Sequence, residues 1–200
     1  MTRLIVWRHG NTDWNASSRF QGQADIPLNE LGRRQAADAA DLLARLSPDV
    51  IVASDLSRAY ETATALATRT GLDIRPDQRL RERFFGEWQG LTTDEIRATH
   101  PAEHARWKAG DDDLGCGVES LDDLGKRVGD GLQDAARLAP GGTVVVASHG
   151  GAARQGVGQL LGWPREQMRT LRALQNCHWV DLTHDDSRGW QLAAYNVGVL

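Results

Sequence analysis

The sequence predicts an α/β fold, a three-layer sandwich in which helices flank a mostly parallel central sheet. Short apolar runs that fit buried strands alternate along the chain with longer stretches of helical periodicity. Two of these apolar runs end in the same way, at His9-Gly10 and at His149-Gly150, which suggests two halves of one site. With 200 residues the chain can bury a full core, so we expect a single domain over residues 1–200, with a helical cap-like insertion at about residues 90–120.

The first half of the chain contains five predicted elements. In order, they are a strand at 4–7, a helix at 29–46, a strand at 50–53, a helix from 55 or 57 to about 70, and an extended segment at 80–85. The strands are apolar runs too short for helices, and the helices repeat apolar residues at intervals of three and four. Asn29 is a typical N-cap for the first helix, and Gly71 is a typical residue at the end of the second.

The second half continues the same alternation. In order, the predicted elements are a broken helical stretch at 92–108, a loop at 111–117, a helix at 120–138, a strand at 143–148, a helix ending near 161, and short strands at 177–182 and 190–195. Pro101 interrupts the first stretch because proline cannot donate a backbone hydrogen bond. Asp111-Asp112-Asp113 lacks the ligand alternation of a calcium loop and is interpreted as a solvated turn.

Composition and charge argue against several classes of function. The net charge of −4 and the pI of about 5.8 do not fit a protein that binds nucleic acid or a membrane surface. Cys116 and Cys177 cannot form a disulfide framework, and neither they nor the histidines have metal-binding spacing. No stretch resembles a signal peptide or a membrane span. We therefore expect a cytoplasmic protein with no metal, no cofactor, and no nucleic-acid or membrane partner.

Sheets of this kind bind ligands at the carboxyl ends of their strands, and three basic side chains are predicted there. His9 follows the first strand, and the adjacent Arg8 should lower the pKa of His9, which keeps the imidazole neutral and nucleophilic near pH 7. His149 follows a Val-rich strand at a helix N-terminus, where it could bind a phosphoryl group. Arg58 lies in the first turn of another helix, and its guanidinium suits phosphoryl oxygens.

Each of these residues also has a purely structural interpretation. His9 could hydrogen-bond the backbone at a strand end, and His149 could be a hydrogen-bonded core histidine. Arg58 could pair with Asp55 or Glu61 on a solvated helix face.

Glu82 is the candidate proton donor. If its segment is extended, Leu80, Glu82 and Phe84 share one face, and the flanking arginines share the other. A carboxyl among apolar neighbours and near a phosphate retains its proton more readily, as donation to a leaving alkoxide requires. The alternative is a surface carboxylate paired with the flanking arginines. The other candidate acids are Asp13, Glu87 and Glu119.

Several motifs follow one another in a characteristic order. They are Arg8-His9-Gly10-Asn11-Thr12-Asp13-Trp14-Asn15, Phe20-Gln21-Gly22, Leu28-Asn29-Glu30-Leu31-Gly32, residues 54–62, Leu80-Arg81-Glu82, Gly86-Glu87-Trp88-Gln89-Gly90, Glu119-Ser120 and Ser148-His149-Gly150-Gly151. This ordered set covers nearly the whole chain and resembles the histidine phosphatase superfamily, which includes the cofactor-dependent phosphoglycerate mutases. The resemblance implies a phosphoglycerate mutase-like fold.

The resemblance also implies a metal-independent phosphatase that acts on small phosphorylated metabolites through a phosphohistidine intermediate. His9 would be phosphorylated and Glu82 would be the acid and base. The groups that hold the phosphoryl oxygens would be Arg8, Arg58 and His149, with Asn15, Gln21, Gly22 and Gly150 as further phosphate- or substrate-binding residues. The partner would be a small phosphomonoester such as a phosphoglycerate or sugar phosphate derivative. Family members are often homodimers, but this sequence does not decide that.

Within the family, the sequence favours a phosphatase over a mutase. The mutases carry an extra segment after the catalytic glutamate, whereas 30 residues lie between Trp88 and Glu119 here, and they have Thr-Gly-Trp in place of Gln21-Gly22-Gln23. The runs 19–23, 80–82 and 86–92 resemble the actinobacterial glucosyl-3-phosphoglycerate phosphatases. The candidate substrate-facing residues are Phe20, Gln23, Arg83, Phe84, Trp107 and Arg154.

Two alternative functions remain. One is a 2,3-bisphosphoglycerate-dependent phosphoglycerate mutase. The other is a non-catalytic phospholigand-binding protein, against which the presence of Glu82 argues, since binding alone needs no proton donor.

Overall fold

The computed structural model describes residues 1–199 and contains one six-stranded sheet. Its strands are β1 (Thr2–Arg8), β2 (Val50–Ala53), β3 (Ile74–Pro76), β4 (Thr143–Ser148), β5 (Trp179–Asp185) and β6 (Gly189–Val197). Their order is β3-β2-β4-β1-β5-β6. The first four are parallel, while β5 is antiparallel to β1, and β6 to β5. The predicted fold class, a mostly parallel sheet flanked by helices, is confirmed.

The helices begin and end largely where the sequence predicts. They are α1 (Asp13–Ala16), α2 (Glu30–Ala44), α3 (Ser57–Thr70), α4 (Thr93–Thr99), α5 (Pro101–Ala109), α6 (Leu121–Arg137), α7 (Gly150–Leu161) and α8 (Arg165–Arg169). Asn29 caps α2 through its side chain, which accepts from the N–H of Gly32 at 2.9 Å. Pro101 occupies the first turn of α5, where a missing N–H costs nothing.

The core lies on both faces of the sheet, and the strands alternate between the two. In β1, Leu4 and Val6 face the cluster built with α6 and α7, while Ile5 and Trp7 face the cluster built with α2 and α3. All four side chains have no exposed surface. A strand covered on both faces is apolar at every position, which is why the central strands read as uninterrupted apolar runs.

The predicted extended segment at 80–85 forms no strand of the sheet. Short 3₁₀ helices at 78–80 and 86–88 flank an irregular stretch, and the predicted alternation fails, since Arg83 is buried and Phe84 is 41% exposed. At its end, Phe85 forms an isolated antiparallel bridge with Val118, and the carbonyl of Phe84 accepts from the N–H of Glu119 at 2.9 Å. The guanidinium of Arg127 on α6 donates to the carbonyls of residues 79, 81 and 82 at 2.7–2.8 Å.

The three-residue strand β3 and the short helices α1 and α8 are absent from the sequence prediction. The interpretation of Asp111–Asp113 as a solvated turn is also wrong for Asp112. Its side chain is only 10% exposed, binds Arg83 at 2.7 Å and Arg165 at 2.9 Å, and accepts from the N–H of Leu121. The surrounding basic side chains draw this carboxylate inward.

The segment predicted as an insertion holds α4 and α5, which pack over a small cluster of their own around Trp88, Ile96 and Leu114. Phe20 and Phe85 pack against this cluster from outside the two helices. Within residues 1–199, no helix is long and apolar enough to cross a membrane.

Candidate active site

Parallel pairing brings the two His-Gly junctions together. β1 and β4 are neighbours with Arg8 opposite Ser148, so His9 and His149 both follow the paired ends. The N–H of His9 donates to the carbonyl of Ser148 at 3.0 Å. The two imidazole rings meet edge to face with centroids 5.1 Å apart. The site therefore lies at the carboxyl end of the central strands, where the sequence predicts it.

One hydrogen bond fixes the tautomer of His9. Nδ1 lies 2.7 Å from the carbonyl oxygen of Gly10. A carbonyl oxygen can only accept, so Nδ1 carries the hydrogen and Nε2 keeps a lone pair. Burial lowers the pKa of His9 well below its ordinary 6.5, and the positive charges of Arg58 and Arg8 lower it further. The ring is thus a neutral imidazole with Nε2 available as a nucleophile.

Two guanidinium groups surround this imidazole without a carboxylate to pair with among the described residues. Arg58 is wholly buried and donates to the carbonyls of Gly22 and Ala24 at 2.7 and 2.8 Å. Burial lowers the pKa of Arg58 to about 10, so the side chain stays charged at neutral pH. Arg8 donates to the carbonyl of Leu174. In the part of the chain that the structure covers, Nε of each arginine is buried and has no partner.

His149 is also wholly buried, at the N-cap of α7. Its Nε2 lies 2.9 Å from the hydroxyl of Ser54, at the end of β2. Burial, with the charge of Arg58, holds the pKa of His149 well below its ordinary value, so the ring is neutral. When Ser54 donates to Nε2, the hydrogen of the imidazole lies on Nδ1, which has no partner within residues 1–199. His149 can therefore donate to an anion without being charged.

The carboxylate of Glu82 sits at the N-terminus of α7. Oε2 accepts from the N–H of Gly151 at 2.9 Å, and Oε1 accepts from the N–H groups of Ala152 and Arg83 at 2.8 Å each. The predicted apolar surroundings are therefore wrong, since three backbone donors hold the group. A Cβ at position 151 would lie 2.6 Å from Oε1, so the approach of the carboxylate depends on glycine there.

The other candidate acids lie outside the cavity that holds Glu82. Glu119 forms an ion pair with Arg127 at 2.6 Å, and Glu87 lies 3.2 Å from His100. Asp13 accepts from Asn29 at the surface. Among the described residues, Glu82 is thus the carboxyl group that shares a cavity with His9.

A cavity of about 470 Å³ contains most of the predicted residues. Its lining consists of Arg8, His9, Asn15, Ser18, Arg19, Phe20, Gln21, Gly22, Arg58, Glu82, Phe85, Gly150, Gly151, Arg154 and Ala173. The side-chain oxygens of Asn15 and Gln21 both accept from Thr12, at 3.2 and 3.0 Å. Because the side-chain oxygens are engaged in this way, the side-chain N–H groups of Asn15 and Gln21 can donate to another acceptor, such as an anion. His149 adjoins this lining through the edge-to-face contact of its ring with that of His9.

The substrate-facing candidates divide into two groups. Phe20 and Arg154 line this cavity, while Arg83 and Trp107 line a second one of about 160 Å³ that shares Arg154 with it. Gln23 instead donates to the backbone carbonyl of Glu82 at 3.2 Å. The exposed side chain of Phe84 lies outside both cavities.

Sequence reasoning did not identify two residues that support the site. They are Ser54, which orients His149, and Arg127, which holds the backbone of Glu82. The position of Ser54 at the end of a predicted strand is a signal that could have identified it. No sequence signal marks Arg127, because it donates to backbone carbonyl groups, which every residue has.

A second large cavity lies outside the candidate site. A cavity of about 520 Å³ adjoins the far side of Arg8, but His9 and Glu82 do not line it. In the described part of the chain, no group of three or more His, Cys, Asp or Glu residues is arranged to hold a metal ion.

Comparison with known proteins identifies the family to which this arrangement of residues belongs. The family described as histidine phosphatase superfamily (branch 1) matches residues 4–198. This chain belongs to the histidine phosphatase superfamily. The predicted family and the predicted phosphatase class are thereby confirmed.

Three similar proteins illustrate the relationship. Glucosyl-3-phosphoglycerate phosphatase of Mycobacterium tuberculosis (strain ATCC 25618 / H37Rv) is 38% identical over 209 residues, covering 97% of this chain and 94% of the relative. A solved mycobacterial glucosyl-3-phosphoglycerate phosphatase complexed with VO3 has a TM-score of 0.90 and 39% identity, over 99% of this chain and 100% of that one. A probable phosphoglycerate mutase of Photorhabdus laumondii is 36% identical, covering 95% of this chain and 90% of the relative.

Proposed function

We propose that this phosphatase hydrolyses small phosphomonoesters without a metal ion, through a phosphohistidine at Nε2 of His9. The observation that carries the proposal is a set of buried nitrogen atoms without partners within residues 1–199: Nε of Arg8, Nε of Arg58 and Nδ1 of His149. Buried donors are normally hydrogen-bonded, and leaving one unpaired is costly. A phosphoryl group offers three strong acceptor oxygens that can pair with these donors.

In the first step, Nε2 of His9 attacks phosphorus while the ester P–O bond breaks. Glu82 is the general acid of this step and gives a proton to the leaving alkoxide. The imidazole gains positive character as the N–P bond forms, and the hydrogen bond from Nδ1 to the carbonyl of Gly10 stabilises that charge. The guanidinium groups of Arg8 and Arg58 offset the charge on the equatorial oxygens, so the protein itself supplies what a metal ion would otherwise provide.

In the second step, water replaces the released alcohol. Glu82, now a carboxylate, takes a proton from the water as it attacks phosphorus, and the N–P bond breaks to regenerate neutral His9. The backbone donors of Gly151 and Ala152 hold the carboxylate in place between the two steps. The same group thus serves as acid and then as base.

We propose a phosphoglycerate derivative as the substrate, with glucosyl-3-phosphoglycerate as the first candidate. The likeness to the mycobacterial phosphatases, at 38–39% identity over nearly the whole chain, supports this choice. A cavity of about 470 Å³ that adjoins one of about 160 Å³ is within the range of small-molecule sites.

We also propose that α4 and α5 act as a cap over the substrate. Phe20 lines the catalytic cavity and packs edge to face against Trp107 of α5, with centroids 5.7 Å apart. A cytoplasmic location is proposed as well, since Cys116 and Cys177 are free thiols. A homodimer stays a prediction.

The test measures phosphate release from glucosyl-3-phosphoglycerate, 3-phosphoglycerate and unrelated phosphomonoesters in the presence of EDTA. We expect release by the wild-type protein and none by His9→Ala, with a ³²P-labelled protein intermediate that is labile in acid. His178→Ala, which removes a histidine outside the catalytic cavity, is the matched control.

Two results would contradict the proposal. Interconversion of 2- and 3-phosphoglycerate on addition of 2,3-bisphosphoglycerate, without net phosphate release, would mean a mutase. Tight binding of phosphate esters with no turnover of any of them would mean a phospholigand-binding protein.

A further inference from the structure

Arg154 lines the catalytic cavity and has no ion-pair partner in the described part of the chain. It lies in the second turn of α7, lines the cavity that contains His9 and Glu82, and also lines the smaller cavity beside it. Across residues 1–199 its guanidinium forms no hydrogen bond and no ion pair, and its Nε atom is buried. A buried N–H donor without a partner is costly, so the position favours an anionic partner.

The other arginines near Arg154 are already engaged. In the smaller cavity, Arg83 and Arg165 both pair with Asp112, and Arg169 donates to the carbonyl of Gly110 at 3.2 Å. In the catalytic cavity, Arg19 pairs with Glu95 at 2.8 Å. The remaining two, which flank His9, belong to the phosphoryl site.

The position of Arg154 along α7 places it close to Gly150, which lines the same cavity as His9. It lies four residues after Gly150, which is about 6 Å along a helix rising 1.5 Å per residue. Helical side chains lean toward the helix N-terminus, so Arg154 leans back toward Glu82 and His9. An anionic group a few bonds from the ester phosphorus would therefore reach its guanidinium. The carboxylate of a phosphoglycerate is such a group, and a guanidinium fork binds carboxylates in a bidentate manner.

We propose that Arg154 binds the substrate carboxylate and thereby selects phosphomonoesters that carry a carboxylate close to the phosphoryl group. This inference rests on the proposed phosphatase function and adds the substrate class. Arg8 and Arg58 hold the phosphoryl group, and Arg154, about one helical turn along α7 from Gly150, holds the carboxylate.

The test compares 3-phosphoglycerate with glycerol 3-phosphate, which has a hydroxymethyl group in place of the carboxylate. The measured quantity is the ratio of their kcat/KM values for the wild type, Arg154→Met and Arg154→Lys. A charged hydrogen-bonded pair predicts that Arg154→Met lowers this ratio about ten- to hundredfold. Arg154→Lys should lower it less, because lysine keeps the charge and loses the fork. Arg169→Met, in the smaller cavity, is the matched control and should leave the ratio unchanged.

A second measurement separates this inference from the proposed function. Calorimetric Kd values for the same two compounds are compared between His9→Ala and the His9→Ala/Arg154→Met double variant, which need no turnover. Selective weakening of 3-phosphoglycerate binding supports the role of Arg154 even if the wild type hydrolyses neither ester. An equal effect on both compounds, or no effect on either, overturns it even if the phosphatase activity is established.

Discussion

At the scale of single residues, burial sets the charge of the two histidines in the proposed catalytic site. His9 and His149 are neutral because their burial and the neighbouring guanidinium groups lower both pKa values. Arginine survives the same burial as a cation, since its ordinary pKa is far above neutrality. In the proposed mechanism, His9 therefore keeps the lone pair that a nucleophile needs, beside fixed positive charges suited to a phosphoryl group.

Loss of the buried Arg58 cation should slow catalysis strongly. We expect Arg58→Ala to slow turnover by roughly 10²–10³-fold, because a preorganised donor to transition-state charge is lost from a water-excluded site. Steady-state kinetics on the wild type and the variant measure this. Arg69→Ala, on the same helix and paired with Asp41 at 2.6 Å, should change kcat less than twofold. A loss below tenfold for Arg58→Ala would sink its proposed role.

At the scale of elements, the N-terminus of α7 positions the acid. Gly151→Ala places a methyl group 2.6 Å from Oε1 of Glu82, and the flexible carboxylate must move away. Alanine is a better helix former than glycine by up to about 1 kcal/mol, so the fold should be kept. We therefore expect kcat to fall about ten- to hundredfold while the Tm stays the same or rises.

Gly125→Ala on α6 is the control for this experiment, since its nearest new contact would be 3.7 Å away. It should preserve both kcat and Tm. If Gly151→Ala kept full activity, the carboxylate would not need the position that the structure gives it.

The hydrogen bonds from Arg127 on α6 to the Glu82 segment should affect kcat more than KM. Arg127→Met removes the donors to three backbone carbonyls, including that of Glu82 at 2.8 Å. A misplacement of about 1 Å can cost about 10²-fold in rate, so we expect kcat to fall about ten- to hundredfold. KM should change little, because the proposed phosphoryl ligands Arg8 and Arg58 are unchanged.

Arg137→Met tests whether this effect is specific to the anchor. Arg137 lies on the same helix and is 69% exposed in a surface ion pair. Its loss should affect neither kcat nor stability appreciably. An Arg127→Met variant with normal kcat would show that the Glu82 segment holds its shape without α6.

At the scale of the whole molecule, the sequence predicts those parts of the fold that depend on burial. The central strands and the long helices can be predicted from the sequence because a core on both faces of the sheet imposes apolar patterns on them. β3 carries Arg75 and Pro76 at an edge and shows no such pattern. The segment at 80–85 looked extended, but its carbonyls bind a side chain from α6, and no local pattern records that.

The candidate site divides in the same way. His9 and His149 could be predicted because strand ends converge in a parallel sheet. The tautomer of His9 and the polar cradle of Glu82 could not, because both depend on backbone groups whose directions the sequence does not show. The sequence does not separate Arg154 from the other substrate-facing candidates, because the ion pair that engages Arg83 with Asp112 is visible only in the fold.

Burying two neutral histidines also links the stability of the whole molecule to pH. In the unfolded chain a histidine titrates near pH 6.5, whereas in the fold the pKa values of His9 and His149 lie well below that. Below pH 6.5 the unfolded state therefore binds more protons than the native state. The free energy of unfolding must then fall as the pH falls, by up to about 1.4 kcal/mol per pH unit for each histidine.

We expect this dependence to be removed largely by replacing the two rings. Urea unfolding of the wild type between pH 7.5 and 5.0 should show a free energy of unfolding that is constant above about pH 6.5 and declines below it. The His9→Asn/His149→Asn variant should have a shallower slope in that window, because asparagine takes up no proton. His184→Gln, which removes a histidine from β5, should keep the wild-type slope. Equal slopes in the double variant and the wild type would mean that carboxyl groups, not these histidines, govern the acid sensitivity of the fold.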